Sequence, residues 1–112
     1  MRKPSRFKCG CFTWKIYWSE EEADEVYGKT DTHTKTVTMY LHKNDEIVRE
    51  TLLHELLHVV MEDKAEAIFN FDPDKKEYDK EENLIRLISP VLMQLIIDNP
   101  ELWRFLSKVK KK

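Results

Sequence analysis

The residues best suited to chemistry are His54, Glu55 and His58, which form the motif His-Glu-Leu-Leu-His. Side chains four residues apart on an α-helix lie on one face, one turn from each other. Two imidazoles at that spacing can both reach one Zn²⁺ ion at about 2.0–2.1 Å. The glutamate between them lies to the side, where it can hold a water molecule bound to the metal. The motif favours a site for one Zn²⁺ per chain over a pair of core histidines with ordinary partners.

A catalytic zinc site needs a third protein ligand, and the sequence restricts where it can lie. The other histidines, His33 and His42, precede the motif, which excludes the classes with a third downstream histidine. Glu81 begins the next apolar helical pattern and lies in line with its apolar stripe. A carboxylate there is costly unless a charged group meets it, so we expect Glu81 to be the third ligand. The alternatives are Glu82, Asp63, Glu62 and Asp79, or a first-turn role for Glu81 beside the helix dipole.

Two segments predict the strands that position this motif. Phe12–Trp18 is rich in aromatic and β-branched residues, and Thr36–Leu41 follows a threonine-rich turn over residues 29–36. A short helix is expected to begin at Ser19 and to end at Gly28. Residues 1–10 form a basic lead-in. A hairpin or a sheet of about three mostly antiparallel strands fits this part of the chain.

The rest of the sequence predicts helices. Asn44 or Asp45 caps a helix that reaches about Asp63, and its pattern is apolar on both sides, which predicts burial between two layers. A second helical pattern starts near Asp79, where Pro90 should kink or split it, and Asn99-Pro100 begins the last helix. Strands followed by helices predict an α+β fold.

Length and charge set the limits on function. The 112 residues fit one domain over 1–112, with 1–8 and 107–112 expected to be mobile. The formal net charge of −2 argues against nucleic acid as a partner. No apolar run is long enough to span a membrane, and no apolar stretch follows the basic start. We therefore expect a cytoplasmic protein without a membrane partner.

The segment Thr51–Val60, followed by Glu81 before an apolar helix, resembles the gluzincin type of zinc metallopeptidase. The small size resembles the minigluzincins. The residues from Glu81 to Arg86, together with those from Asn99 to Leu102, are also similar to phage-encoded metallopeptidase-like proteins. The resemblance implies a small twisted sheet, an active-site helix and a glutamate helix, with zinc held by two histidines and a glutamate. Longer gluzincins carry an Asp four residues after that glutamate, where this chain has Ile85.

The resemblance also implies a function, the hydrolysis of peptide bonds by a zinc-bound water that Glu55 activates. The strand before the active-site helix would line the cleft and pair with an extended peptide or protein substrate. Tyr40, His42 and Tyr78 are candidates, by residue type, for stabilising the oxyanion. The substrate-binding residues predicted on this basis are Val37, Thr38, Met39 and Tyr40.

Several features allow a second interpretation. A thiolate from Cys9 or Cys11 could ligate zinc and hold the enzyme latent, like a zymogen, or both could be inert side chains. The apolar C-terminal residues could pack on the core, cover the cleft or pair two chains as a homodimer. The alternative function is a non-catalytic, zinc-containing module or viral effector that binds a peptide or protein. The C-terminal residues concerned are Leu102, Trp103, Phe105 and Leu106.

Overall fold

The computed structural model describes residues 3–64 and 77–108. For residues 77–80 it describes the backbone only. In the two described ranges, four strands precede three helices, which confirms the α+β class expected from the sequence. The strands are β1 (Arg6–Cys9), β2 (Phe12–Trp18), β3 (Gly28–Asp31) and β4 (Thr36–Met39). The helices are α1 (Asp45–Asp63), α2 (Glu77–Asp98) and α3 (Pro100–Leu106).

The sheet has four strands in the order β1-β2-β4-β3 and is mixed, which corrects the expectation of about three mostly antiparallel strands. β1 pairs antiparallel with β2, and β3 pairs antiparallel with β4, but β2 and β4 are parallel. The edges of the sheet are therefore β1 and β3. β1 lies within the segment expected to be a basic lead-in, and β3 lies within the segment expected to be a turn.

Each of the two unexpected strands has an identifiable cause. In β1, Phe7 and Cys9 alternate with charged residues and are 2% and 3% exposed, so a short strand buries two side chains. β3 has no large apolar residue, and its pairing with β4 is closed by a turn over 32–35. In that turn the Asp31 carboxylate accepts hydrogen bonds from the backbone N–H groups of His33 and Thr34, at 2.9 and 3.2 Å.

The segment between β2 and β3 is not helical, so the predicted helix from Ser19 to Gly28 is wrong. The Ser19 hydroxyl accepts a hydrogen bond from the Glu21 N–H at 3.1 Å, but no helix follows this bond. The Glu21 carbonyl then accepts from the Leu41 N–H at 3.0 Å. The Glu21 carbonyl is therefore bonded to the segment after β4 and is not available for a hydrogen bond within a helix.

α1 follows its predicted bounds closely. The Asn44 side chain caps it by accepting hydrogen bonds from the N–H groups of Glu46 and Ile47. The helix buries one face only, which corrects the expected burial on two sides. The buried residues are Leu52, Glu55, Leu56, Val59 and Val60, while Leu53, Leu57 and Met61 are exposed on the opposite side.

α2 runs without a break through Pro90, so the expected split does not occur. Asn99 separates it from α3 but does not cap α3 with its side chain. Instead, the Asn99 side-chain oxygen accepts a hydrogen bond from the Lys8 N–H in β1 at 2.8 Å. The Asn99 side-chain nitrogen donates to the Lys8 carbonyl, also at 2.8 Å, and to the Leu95 carbonyl. No helix in the described ranges is both long enough and apolar enough to cross a bilayer.

The core lies between the helices and one face of the sheet. The sheet contributes Phe7, Trp14, Ile16, Val37 and Met39, and these pack with the buried face of α1 and with Leu95 and Leu102. The last helix belongs to this core, because Leu102 is 1% exposed and Trp103, Phe105 and Leu106 pack against it. Packing on the core therefore accounts for the apolar C-terminal residues.

Candidate metal centre

His54 and His58 project from the exposed side of α1 and face each other. Their Nε2 atoms are 3.1 Å apart, and their rings meet edge to face with centroids 4.8 Å apart. Two nitrogens bound to one tetrahedral Zn²⁺ at about 2.0–2.1 Å would be roughly 3.3 Å apart. The spacing therefore fits a shared metal ion. It also fits one N–H···N hydrogen bond between two neutral imidazoles.

Glu55 completes a compact cluster with the two histidines. One ligand atom from each of the three residues lies within 4.8 Å of the others, and this is the only such group of three or more among the residues that the structure describes. Glu55 differs from the histidines in being 6% exposed, since it lies on the buried face of the helix. Its Oε1 atom accepts a hydrogen bond of 2.8 Å from the Thr30 hydroxyl.

A groove of about 450 Å³ opens beside this cluster. One wall is α1, and the other is β3 together with the residues that precede it. Both charged and apolar side chains line the groove, so it has surface for contacts with a ligand in addition to the metal cluster. The lining residues are Val26, Tyr27, Gly28, Ile47, Glu50, Thr51, His54 and Glu55.

The groove runs along the outer edge of β3, and no other described strand pairs with this edge, which we call the free edge of β3. The Lys35 and Met39 carbonyls accept hydrogen bonds from Lys15 and Ser19, on the β2 side, whereas the Tyr40 N–H donates to the Tyr27 carbonyl on the β3 side. Alternate residues of β4 therefore face β2 and β3. Gly28 and Thr30 pair with Met39 and Val37, which face β2. The N–H and carbonyl groups of Gly28 and Thr30 consequently point outward, away from the sheet.

The predicted substrate-binding residues, 37–40, do not line the groove. β4 lies between β2 and β3, so both of its edges are already paired. Two of its residues are fully buried in the core and cannot contact a substrate. An extended chain can add to β3 but not to β4. The four residues concerned are Val37 and Met39, which are 0% and 1% exposed, and Thr38 and Tyr40, which are half-buried.

The structure does not bring the predicted third ligand to the histidines. Glu81 is exposed near the start of α2 and is outside the cluster of His54, Glu55 and His58. Glu82 forms an ion pair of 3.2 Å with Arg86 instead. Glu62 and Asp63 lie in the last turn of α1, also outside the cluster, and the side chain of Asp79 is outside the described residues.

The cysteines are also apart from the cluster. Cys9 is buried in the core, and Cys11 is exposed. Burial, followed by the nearby Asp63 carboxylate, raises the pKa of the Cys9 thiol to about 11. Because the thiolate is the form that binds metal, Cys9 has the character of a small core residue rather than of a zinc ligand.

Sequence reasoning missed Tyr27 and Thr30. Tyr40 and His42 line a separate cavity of about 230 Å³, which residues of β2, α1 and α3 also line, and Tyr78 lies outside the described side chains. Tyr27 lines the groove itself and packs edge to face on His42, with ring centroids 4.7 Å apart. No sequence signal marks these residues, because both belong to a segment whose pairing is set by β4.

Comparison of the sequence with family models and with curated proteins, and of the structure with solved structures, finds no match. The cluster and the groove are therefore the features of this chain that indicate a function.

Proposed function

We propose that this protein is a zinc-dependent metallopeptidase that holds the metal through His54 and His58. The observation that carries the proposal is the 3.1 Å separation of the two Nε2 atoms beside a buried carboxylate. Histidines four residues apart on a helix share one face in any case, so the proposal also draws on the adjacent Glu55 and on the groove that His54 and Glu55 both line. The resemblance of the motif to gluzincins agrees with this proposal, and Glu81 is proposed as the third ligand.

The residues of the chain have distinct parts in the proposed reaction. Zinc, when bound, supplies Lewis acidity that makes a water molecule acidic near neutral pH and polarises a carbonyl group. Glu55 accepts the proton of the attacking water and delivers it to the leaving amine. The outward N–H and carbonyl groups of Gly28 and Thr30 hold the peptide in extended form along β3. Tyr27 lines the groove, and its hydroxyl is the donor proposed to stabilise the oxyanion.

The free edge of β3 also supports a second candidate, a module that binds an extended peptide without cleaving it. Strand addition needs only unpaired backbone groups and a groove for alternate side chains. Both are present whether or not zinc binds. The two candidates differ in what they require of Glu55, because binding needs no general base.

The test combines metal analysis with peptide cleavage. Elemental analysis of the purified protein should give close to one zinc per chain in the wild type and in His33→Ala, but a clear loss in His54→Ala. His33 is exposed in the β3–β4 turn and serves as the matched histidine control. Cleavage of a mixed peptide library, followed by mass spectrometry, should be abolished by a chelator and restored by added zinc.

Glu55→Gln decides between the two candidates. It should keep zinc and fold but lose cleavage by a factor of about 10²–10⁴, the usual contribution of a general base. Glu46→Gln, in the exposed first turn of the same helix, should cleave like the wild type. A wild-type protein that binds zinc and peptide but cleaves nothing would establish the binding module. Absence of zinc at excess metal would leave the histidines as a hydrogen-bonded pair.

A further inference from the structure

Glu55 is held by one strand of the sheet. Two residues that share a face of β3, Gly28 and Thr30, contact its side chain at different points. The position of a Cβ on Gly28 would be 3.2 Å from Glu55 Cγ, so the strand backbone packs closely on the methylene groups. The Thr30 hydroxyl donates to Glu55 Oε1 at 2.8 Å. The carboxylate is thus fixed at both its stem and its tip.

The hydrogen bond from Thr30 matters because of where Glu55 lies. Its backbone is on the buried side of α1, between Leu52, Leu56 and Val59, while the histidines are on the exposed side. A buried carboxylate is costly unless it has a donor. Within the residues that the structure describes, the Thr30 hydroxyl is the donor that the carboxylate has.

We propose that Thr30 is a positioning residue for the proposed peptidase: its hydroxyl holds the Glu55 carboxylate beside the histidine pair. This inference rests on the proposed function, because Glu55 must act as the base there. The Thr30 hydroxyl acts through Glu55 and does not itself contact the reacting atoms. Its backbone forms part of the free strand edge, so the strand that receives the substrate is also the strand that orients the base.

Three variants separate positioning from a structural role. Thr30→Val keeps the branched shape and removes the donor, whereas Thr30→Ser keeps the donor and removes a methyl group. Thr13→Val, an exposed threonine in β2, is the matched control for the same change elsewhere in the sheet. Loss of orientation of a general base acts on the chemical step rather than on substrate binding.

We expect Thr30→Val to lower kcat by about 10- to 100-fold with KM and zinc content close to those of the wild type. Thr30→Ser should retain most of the activity, and Thr13→Val should be indistinguishable from the wild type. An unchanged kcat in Thr30→Val would overturn the proposal. So would equal losses in Thr30→Val and Thr30→Ser, or a loss of zinc in both, since these would indicate a structural role. If Thr30→Val does not fold, Thr30→Ala takes its place with the same expectations.

A second readout does not depend on activity. Crystal structures of the zinc-loaded wild type and Thr30→Val should show the Glu55 carboxylate moved by more than about 0.5 Å, or in several rotamers, in the variant. A carboxylate that stays in place overturns the role of Thr30 even if the enzyme is active. A wild type that cleaves no peptide removes the proposed function, and the two structures still decide whether Thr30 holds Glu55.

Discussion

Gly28 is a position at which the edge strand β3 packs closely on α1. A Cβ at this position would be 3.0 Å from Thr51 Cγ2 and 3.2 Å from both Glu55 Cγ and Met39 Sδ. These contacts lie on a helix and on a neighbouring strand, so the side chain cannot be accommodated by moving one neighbour. A residue without a side chain therefore sets the distance between β3 and the helix that carries the histidines.

We expect Gly28→Ala to lower the free energy of unfolding by about 1–3 kcal/mol, the usual cost of overpacking. Urea denaturation followed by tryptophan fluorescence measures it. The double variant Gly28→Ala, Thr51→Ser removes the Cγ2 atom at the shortest contact and should recover part of the loss. A Gly28→Ala protein as stable as the wild type would mean that the strand yields freely at this position.

The two cysteines should differ sharply in reactivity. The Cys9 pKa is raised to about 11, so this thiol carries almost no thiolate at pH 8, and it is also buried. Cys11 is exposed. Alkylation of the native protein with iodoacetamide at pH 8 should give one adduct, on Cys11, and a second only after denaturation. Mass spectrometry of the peptides identifies the site. Rapid native modification of Cys9 would contradict its place in the core.

The raised pKa of Cys9 also makes the stability of the fold depend on pH. In the unfolded chain the Cys9 thiol ionises near pH 9.0, but in the folded protein it stays protonated until about pH 11. The unfolded state therefore loses a proton first, and stability falls as the pH rises through this window. Between pH 9 and 11 the wild type should lose more stability than Cys9→Ala, which lacks the group.

At the scale of elements, predictability follows the strength of the local pattern. β2 has the predicted bounds, because seven residues alternate between aromatic or aliphatic and polar side chains. α1 also has a clear start signal in the Asn44 cap, and α3 has one in Pro100 at its first position. These elements could be predicted because each one contains the residues that determine it.

The elements that could not be predicted depend on partners distant in sequence. β3 is polar and is a strand only because it pairs with β4 and because Thr30 has Glu55 to bind. The parallel pairing of β2 with β4 moves β4 to the centre of the sheet and leaves β3 at the edge. The histidine–glutamate cluster was predictable from spacing within one helix, whereas the groove beside it depends on this topology.

Whether Glu81 can be the third zinc ligand depends on the position of the start of α2. Glu81 is exposed near the start of α2, and α2 packs against α1 and β1. If Glu81 joins the histidines when zinc binds, this end of α2 must come to the exposed side of α1. We expect Glu81→Ala to weaken zinc binding by at least about tenfold, since a ligand is lost. Competition with a chelating dye measures the affinity.

Glu82→Ala is the matched control for that experiment. Glu82 is the next residue and is held by Arg86, so its removal should leave the zinc affinity close to that of the wild type. Equal affinities in the wild type and in Glu81→Ala would exclude Glu81 as a ligand. A large loss in Glu82→Ala alone would assign the role to Glu82 instead.

At the scale of the molecule, zinc binding and folding should be coupled. The two histidines belong to α1, which contacts strands at both sheet edges and at its centre as well as α2 and α3. Any change in the stability of this helix is therefore transmitted to the whole fold. At a free zinc concentration about 100 times the Kd, binding to the native state alone contributes about 2.7 kcal/mol, and a domain of this size should then melt roughly 10 °C higher.

Calorimetric scans in zinc and in a chelator measure this shift. The wild type and His33→Ala should show it, whereas His54→Ala should melt at the same temperature in both solutions. Binding of zinc to histidines and cysteines of the unfolded chain would lower the melting temperature alike in His33→Ala and His54→Ala, which each lack one histidine, so the difference between these two variants isolates the native site. A shift of the same size in His54→Ala would place the metal elsewhere, and the groove beside β3 would then be left to peptide binding alone.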